Sequence, residues 1–215
     1  PPPAITEIHV ISVGRHFRPT TPALIAFALV ALAMLAGAAG CRDSTAPEGR
    51  PSLAVDPAND FITSYTGPKN GDLDAREAET TLTGQSLVFR GTVGGSIGTT
   101  AGAVYVWGVD WGAGTARFGD IATGVHFDAV VIAFPDGTGS MRDFTTGTAQ
   151  PLAPGSVVVM GTTINVTVPA ALLPSKGFSP EHYTVNFWPR SGLASNAQIA
   201  DFAPDNANMP VRVGT

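Results

Sequence analysis

From Leu73 onward apolar residues recur at every second position, in runs of six to ten residues separated by Gly, Pro, Asp and Thr. That period belongs to strands with one face buried, not to helices. Leu87, Phe89 and Val93 alternate with Val88, Arg90 and Thr92 after a Thr83-Gly84-Gln85 turn, which predicts a hairpin with residues 74–82. Ile164, Val166 and Val168 alternate with Asn165 and Thr167, and Pro169, which has no N–H to donate, ends that strand. Tyr183, Val185 and Phe187 alternate with Thr184, Asn186 and Trp188 in the last clear strand. Residues 103–110 and 125–134 are apolar on both faces, as central strands covered on each side would be. Pro135-Asp136-Gly137 then predicts a tight turn, and only residues 170–173 read as helix, for a single turn between two prolines. About eight short strands with almost no helix make residues 56–215 an all-β domain. The expected architecture is a two-sheet antiparallel β-sandwich of the jelly-roll or immunoglobulin-like type.

One segment departs from this period. Residues 23–40 are uncharged, follow Arg15, His16 and Arg18, and end in Gly37-Ala38-Ala39-Gly40 before Cys41, the only cysteine of the chain. A basic flank, an apolar run and then small residues form a secretion signal, expected as an N-terminal signal helix. A lone Cys at this place resembles a bacterial lipoprotein signal, whose lipobox ends in a small residue and then the Cys that receives diacylglycerol. Here the motif reads Ala38-Ala39-Gly40-Cys41, with Ala38 where the family prefers Leu. The resemblance implies that residues 1–40 are leader and signal peptide and that Cys41 carries palmitate-type acyl chains. It also implies that the protein faces the periplasm or the cell surface from a membrane anchor. The alternative is an uncleaved anchor, because 18 uncharged residues sit at the lower edge of the roughly 17 to 25 that a spanning helix needs. Residues 1–14 match no part of a signal, and translation from Val13 is the expected start. Residues 41–55, polar and with Pro47 and Pro51, read as a flexible linker that holds the domain off the membrane.

Composition narrows the function classes. Charged residues are 13% of the chain, against about 25% in typical soluble domains, and the net charge is −5. Without a basic excess, nucleic acid is excluded as a partner, and a coiled coil and a charged disordered tail fall with it. A single Cys excludes an intramolecular disulfide framework and a Cys-rich metal site.

Acidic residues cluster in the predicted loops: Asp56 and Asp60, Asp72 and Asp74, then Asp201, Asp205 and Asn206. A hard cation such as calcium takes six to eight oxygen ligands, and these six aspartates are the candidate set if the two chain ends are neighbours. The other reading is that Asp, Asn and Gly merely form turns. The run from Asn70 is not an EF-hand, since Ala75 stands at the turn-glycine position and Thr81 at that of the bidentate Glu.

An Asp56-Pro57-Ala58-Asn59-Asp60 opening, a polar loop into Asp72-Leu73-Asp74, a hairpin, and the strand Tyr105-Val106-Trp107-Gly108-Val109-Asp110 resemble secreted bacterial β-sandwiches. These are the domains grouped with family 9 carbohydrate-binding modules and DOMON-like domains. The resemblance, over residues 56–128, implies a non-catalytic domain of a kind that often carries calcium and binds sugar or haem. The chain has no Met/His pair at a spacing suited to haem. Tyr105, Trp107 and Trp111 share one strand face, about 6.8 Å apart per two residues, and core packing is their expected role. Trp188, on the face opposite Phe187 with Asn186 and Arg190, is the candidate platform for a sugar ring. The alternative for Trp188 is a strand-end residue covered by a loop.

Enzyme motifs are scarce. Neither His126 nor His182 begins a His-Glu-x-x-His motif. The sequence therefore reads as an anchored envelope lipoprotein with a non-catalytic binding sandwich, for a glycan or an envelope protein, stabilised by calcium. The second reading is an envelope glycosidase using Asp110 and Asp128. The third is a purely structural or adhesive component.

Overall fold

Strand β1 (Leu53–Val55) pairs antiparallel with β2 (Ala75–Thr83), which turns through Gly84-Gln85 into β3 (Ser86–Val93). The protein is seen here in a computed structural model that describes residues 52–214; the signal, Cys41 and most of the linker lie outside the described residues. The chain continues through β4 (Val104–Asp110), a small ribbon of β5 (Thr115–Ala116) with β6 (His126–Phe127), then β7 (Ala129–Ala133), β8 (Gly139–Asp143) and β9 (Ala149–Pro151). After these come β10 (Val157–Met160), β11 (Thr163–Pro169), β12 (Thr184–Arg190), β13 (Met209–Pro210) and β14 (Arg212–Val213). The first sheet runs β1-β2-β3-β11-β10, with β14 added in parallel to β2. The second runs β13-β12-β4-β7-β8-β9 and is antiparallel throughout. The domain is thus an all-β, two-sheet sandwich.

The alternation read from the sequence becomes the inter-sheet core. Leu87, Phe89, Ile164, Val166 and Val168 of the first sheet meet Tyr105, Trp107, Val109, Val131, Val185 and Phe187 of the second, all fully buried. Trp107 lies 4.9 Å from Phe187 and 6.1 Å from Phe89, centroid to centroid, within the range of favourable aromatic pairs. A Cβ at Gly91 would come within 2.6 Å of the Phe187 ring, so only glycine lets β3 seat that ring.

The outer face of the second sheet is also covered, which explains why β4 and β7 are apolar at every turn of the pleat. Phe118, Val125, Phe127 and Phe202 pack over Val104, Val106, Val130 and Trp188 in a second apolar cluster. Gly108 is the sheet's recess for this layer: a Cβ there would overlap the Trp188 ring.

Three expectations need correction. The stretch 125–134 is not one strand, because Asp128 interrupts it between β6 and β7 to serve the loop after β4. The linker ends before residue 55: Leu53–Val55 forms an edge strand with Ala54 buried. Short strands of two or three residues, invisible to periodicity, raise the number of strands well above eight. The single turn at Ala170–Leu172 is present as 3-10 helix, and three other single 3-10 turns accompany it among the described residues. None of these helices is long and apolar enough to cross a membrane.

Candidate cation site

Five of the candidate aspartates converge where both ends of the domain reach the start of β2. Asp56 leaves β1 with its N–H still donating to the Arg76 carbonyl at 2.9 Å, which carries the loop of residues 56–60 alongside β2. Asn59 takes a positive φ of 62°, and its N–H donates to Asp74 Oδ1 at 2.8 Å. Asp74 ends the 3-10 turn Gly71–Leu73 just before β2. From the far end of the chain Asp201 Oδ2 accepts the Ala75 N–H at 2.9 Å, and the Ile62 N–H donates to the Ala200 carbonyl at 2.9 Å.

Two carboxylate triads result. Asp56, Asp201 and Asp205 offer oxygens within 4.8 Å of one another, and so do Asp60, Asp74 and Asp201. Two oxygens bound across one ion at a calcium–oxygen distance of about 2.4 Å lie at most about 4.8 Å apart, so each triad has the spacing of a ligand set. Asp201 belongs to both.

The electrostatics show that something must offset the charge. Asp56 is only 4% exposed, and its Oδ2 has no hydrogen-bond partner. Burial, then the carboxylates of Asp201, Asp60, Asp205 and Asp74, push its carboxyl up to about 9. Burial also raises Asp201, to about 7, against the lowering effect of the N–H groups of Ala75 and Phe202. Asp205 is raised by burial and by Asp60. Among the described residues, the one ion pair at this cluster sets Arg76 3.6 Å from Asp74, on a half-exposed side chain. Crowded carboxylates with a buried, unpaired oxygen either take up protons or bind a cation. The cluster can hold a metal ion.

The sixth candidate, Asp72, is elsewhere. Its Oδ2 accepts the Thr100 N–H at 2.7 Å and its Oδ1 the Thr100 hydroxyl at 2.6 Å, which fixes the loop before β4. Asn59 and Arg76, which line the cluster without being singled out by sequence, contribute through a backbone N–H and an ion pair that acidic spacing does not reveal.

The proposed sugar platform is corrected. Trp188 is 1% exposed and is enclosed by Phe118, Phe127 and Phe202 at 5.0, 5.2 and 5.9 Å, so its ring has no open face for stacking. Asn186 is buried, its amide donating to the carbonyls of Pro204 at 2.6 Å and Ala207 at 2.7 Å. Arg190 is held by the carbonyls of Gly192 and Ser195.

Asp110 and Asp128 share a different task. The four N–H groups of residues 111–114 donate alternately: Trp111 and Ala113 to Asp128 at 3.1 and 2.8 Å, Gly112 and Gly114 to Asp110 at 2.9 and 3.0 Å. Two carboxylates bound this way build a loop, and each has less capacity left for the acid–base work of a glycosidase. Burial raises the Asp128 carboxyl above its ordinary value despite the N–H groups of Trp111 and Ala113.

Compared with known proteins, the chain matches no family model and no curated protein.

Proposed function

We propose that this chain is a lipid-anchored, extracytoplasmic lipoprotein whose sandwich binds or displays without catalysis, and that calcium at the Asp56–Asp60–Asp74–Asp201–Asp205 cluster ties its two ends together. The observation that carries the calcium reading is the buried Asp56 Oδ2, which has no hydrogen-bond partner and sits among carboxylates at ligand spacing. Asp56, Asp60, Asp74, Asp201 and Asp205 would hold the ion. When bound, it supplies a double positive charge that offsets the repulsion and fastens the loop after β1 and the loop at 201–205 to the start of β2. Modules exposed to extracellular calcium bind it at Kd of about 10⁻⁴ to 10⁻³ M, a range that suits a protein outside the cytoplasm. The anchor reading rests on Cys41 directly following the uncharged run 23–40. The reading does not extend to sugar stacking on Trp188, whose ring is enclosed.

Two measurements on the whole protein test this reading. Thermal melting in chelator and in millimolar calcium is expected to show a rise of several degrees with calcium, and equal melting in both rejects the metal. Metabolic labelling with an alkynyl palmitate is expected to mark the wild-type chain and not Cys41→Ser, and equal labelling of both rejects the anchor.

A further inference from the structure

The outer face of the second sheet holds a cavity of about 220 Å³ that the cation site does not share. Val106, Phe127, Ile132, Phe144, Trp188 and Leu193 give it an apolar lining, and Arg142 and Arg190 line it as well. Among the described residues no carboxylate lines it. Arg190 is only 8% exposed, and its Nε and Nη2 are committed to the carbonyls of Gly192 and Ser195, leaving Nη1 with no acceptor among the described residues. Arg142 is exposed, lies 5.3 Å from the Phe144 ring, and joins none of the ion pairs among the described residues, which use Arg76, Lys176 and Arg212. A third cation, Arg117, lies 4.8 Å from the centroid of the same Phe144 ring.

A guanidinium taken out of water without a counter-charge is unfavourable, and an anion arriving from solution would offset it. The fork of Arg142 suits a planar carboxylate, to which Arg190 can add its Nη1. Size limits the rest of such a ligand: an apolar cavity of about 150 Å³ accepts benzene, so this one accommodates one ring or a short acyl chain. A neutral sugar fits less well, because it brings no charge to offset the two guanidinium groups. Its many hydroxyls would also meet a mostly apolar lining, in which Asn196 is the one uncharged polar side chain among the described residues.

We propose that this cavity binds a small organic monoanion, a carboxylate on a single-ring or short acyl body, with the carboxylate between Arg142 and Arg190 and the apolar body against Ile132, Phe144 and Leu193. The site shares no residue with the aspartate cluster, so it stands or falls independently of calcium.

The test follows the indole N–H signals of the three tryptophans in a ¹⁵N-labelled protein, with Trp188 assigned through Trp188→Phe. Benzoate is expected to shift the Trp188 signal saturably, with a Kd below about 1 mM. Benzyl alcohol and methyl β-glucoside are expected to bind at least tenfold more weakly, and Arg142→Gln, a change at an exposed position, to weaken benzoate at least tenfold. No saturable Trp188 shift, or equal shifts from benzyl alcohol or the glucoside, would overturn the site. So would unchanged benzoate binding in a folded Arg142→Gln protein.

Discussion

Asp201 accepts the N–H of Ala75 at 2.9 Å across 126 residues of sequence, and its other oxygen accepts the N–H of Phe202 at 2.9 Å. One carboxylate thereby fastens the C-terminal loop to the start of β2 and also belongs to both triads. Asp201→Asn keeps the shape and one acceptor but removes the charge. In metal-free protein this relieves repulsion with Asp60 and Asp74 while losing a hydrogen bond, so the melting temperature is expected to change little. In calcium it removes a ligand common to both triads, and the calcium-induced rise is expected to fall by more than half. Melting curves with and without calcium check this, and an undiminished calcium effect contradicts it.

The pH dependence has a definite sign. Asp56 and Asp201 are raised in the folded chain from 3.8 to about 9 and about 7. Between these values the folded state holds more protons than the unfolded one, so the two groups stabilise the metal-free fold most below about pH 4. That contribution is lost as the pH rises through 7 and then 9. Calcium competes with the same protons and therefore binds more tightly as the pH rises. Urea midpoints of metal-free protein are expected to fall from about pH 5 to about pH 9, and calcium is expected to flatten or reverse the slope. A metal-free midpoint that rises across this range would refute the assignment.

Gly108→Ala places a methyl group where the Trp188 ring rests on β4. Overpacking of this kind costs about 1–3 kcal/mol. Urea denaturation is expected to show a loss in that range, together with a displaced Trp188 indole signal, and wild-type stability would mean that the ring is not seated there.

Asp128→Ala takes the acceptor from the N–H groups of Trp111 and Ala113, the first of which belongs to a fully buried residue. Leaving a buried donor without an acceptor costs about 1–3 kcal/mol. Asp110→Ala exposes the loop glycines instead and is expected to be milder. Measured unfolding free energies in the reverse order would contradict the loop-building role.

The tryptophans show where sequence was sufficient. Tyr105, Trp107 and Trp111 follow a strict period of two, so their burial between the sheets could be read directly. Trp188 obeys the same alternation and does lie on the opposite face, but Phe118 and Phe202 reach it from loops remote in sequence. Periodicity assigns a side chain to a face and carries no information on what folds over that face. The aspartates divide similarly. Asp56, Asp60 and Asp74 lie beside β1 and β2 of the first sheet, whereas Asp201 and Asp205 lie in the loop between β12 and β13 of the second, which the Ala75–Asp201 hydrogen bond fastens to the start of β2. Asp72, two residues from Asp74, is turned by the 3-10 geometry of Gly71–Leu73 towards Thr100. β1 escaped notice because three residues are too few to display a period.

Equilibrium binding of radioactive calcium to the whole protein, beside Asp56→Asn and Asp201→Asn, tests the central claim most directly. The account predicts saturable binding of one or two ions per chain near neutral pH, weakened at least tenfold in both variants. No binding at millimolar calcium, or binding that both variants retain in full, would contradict it.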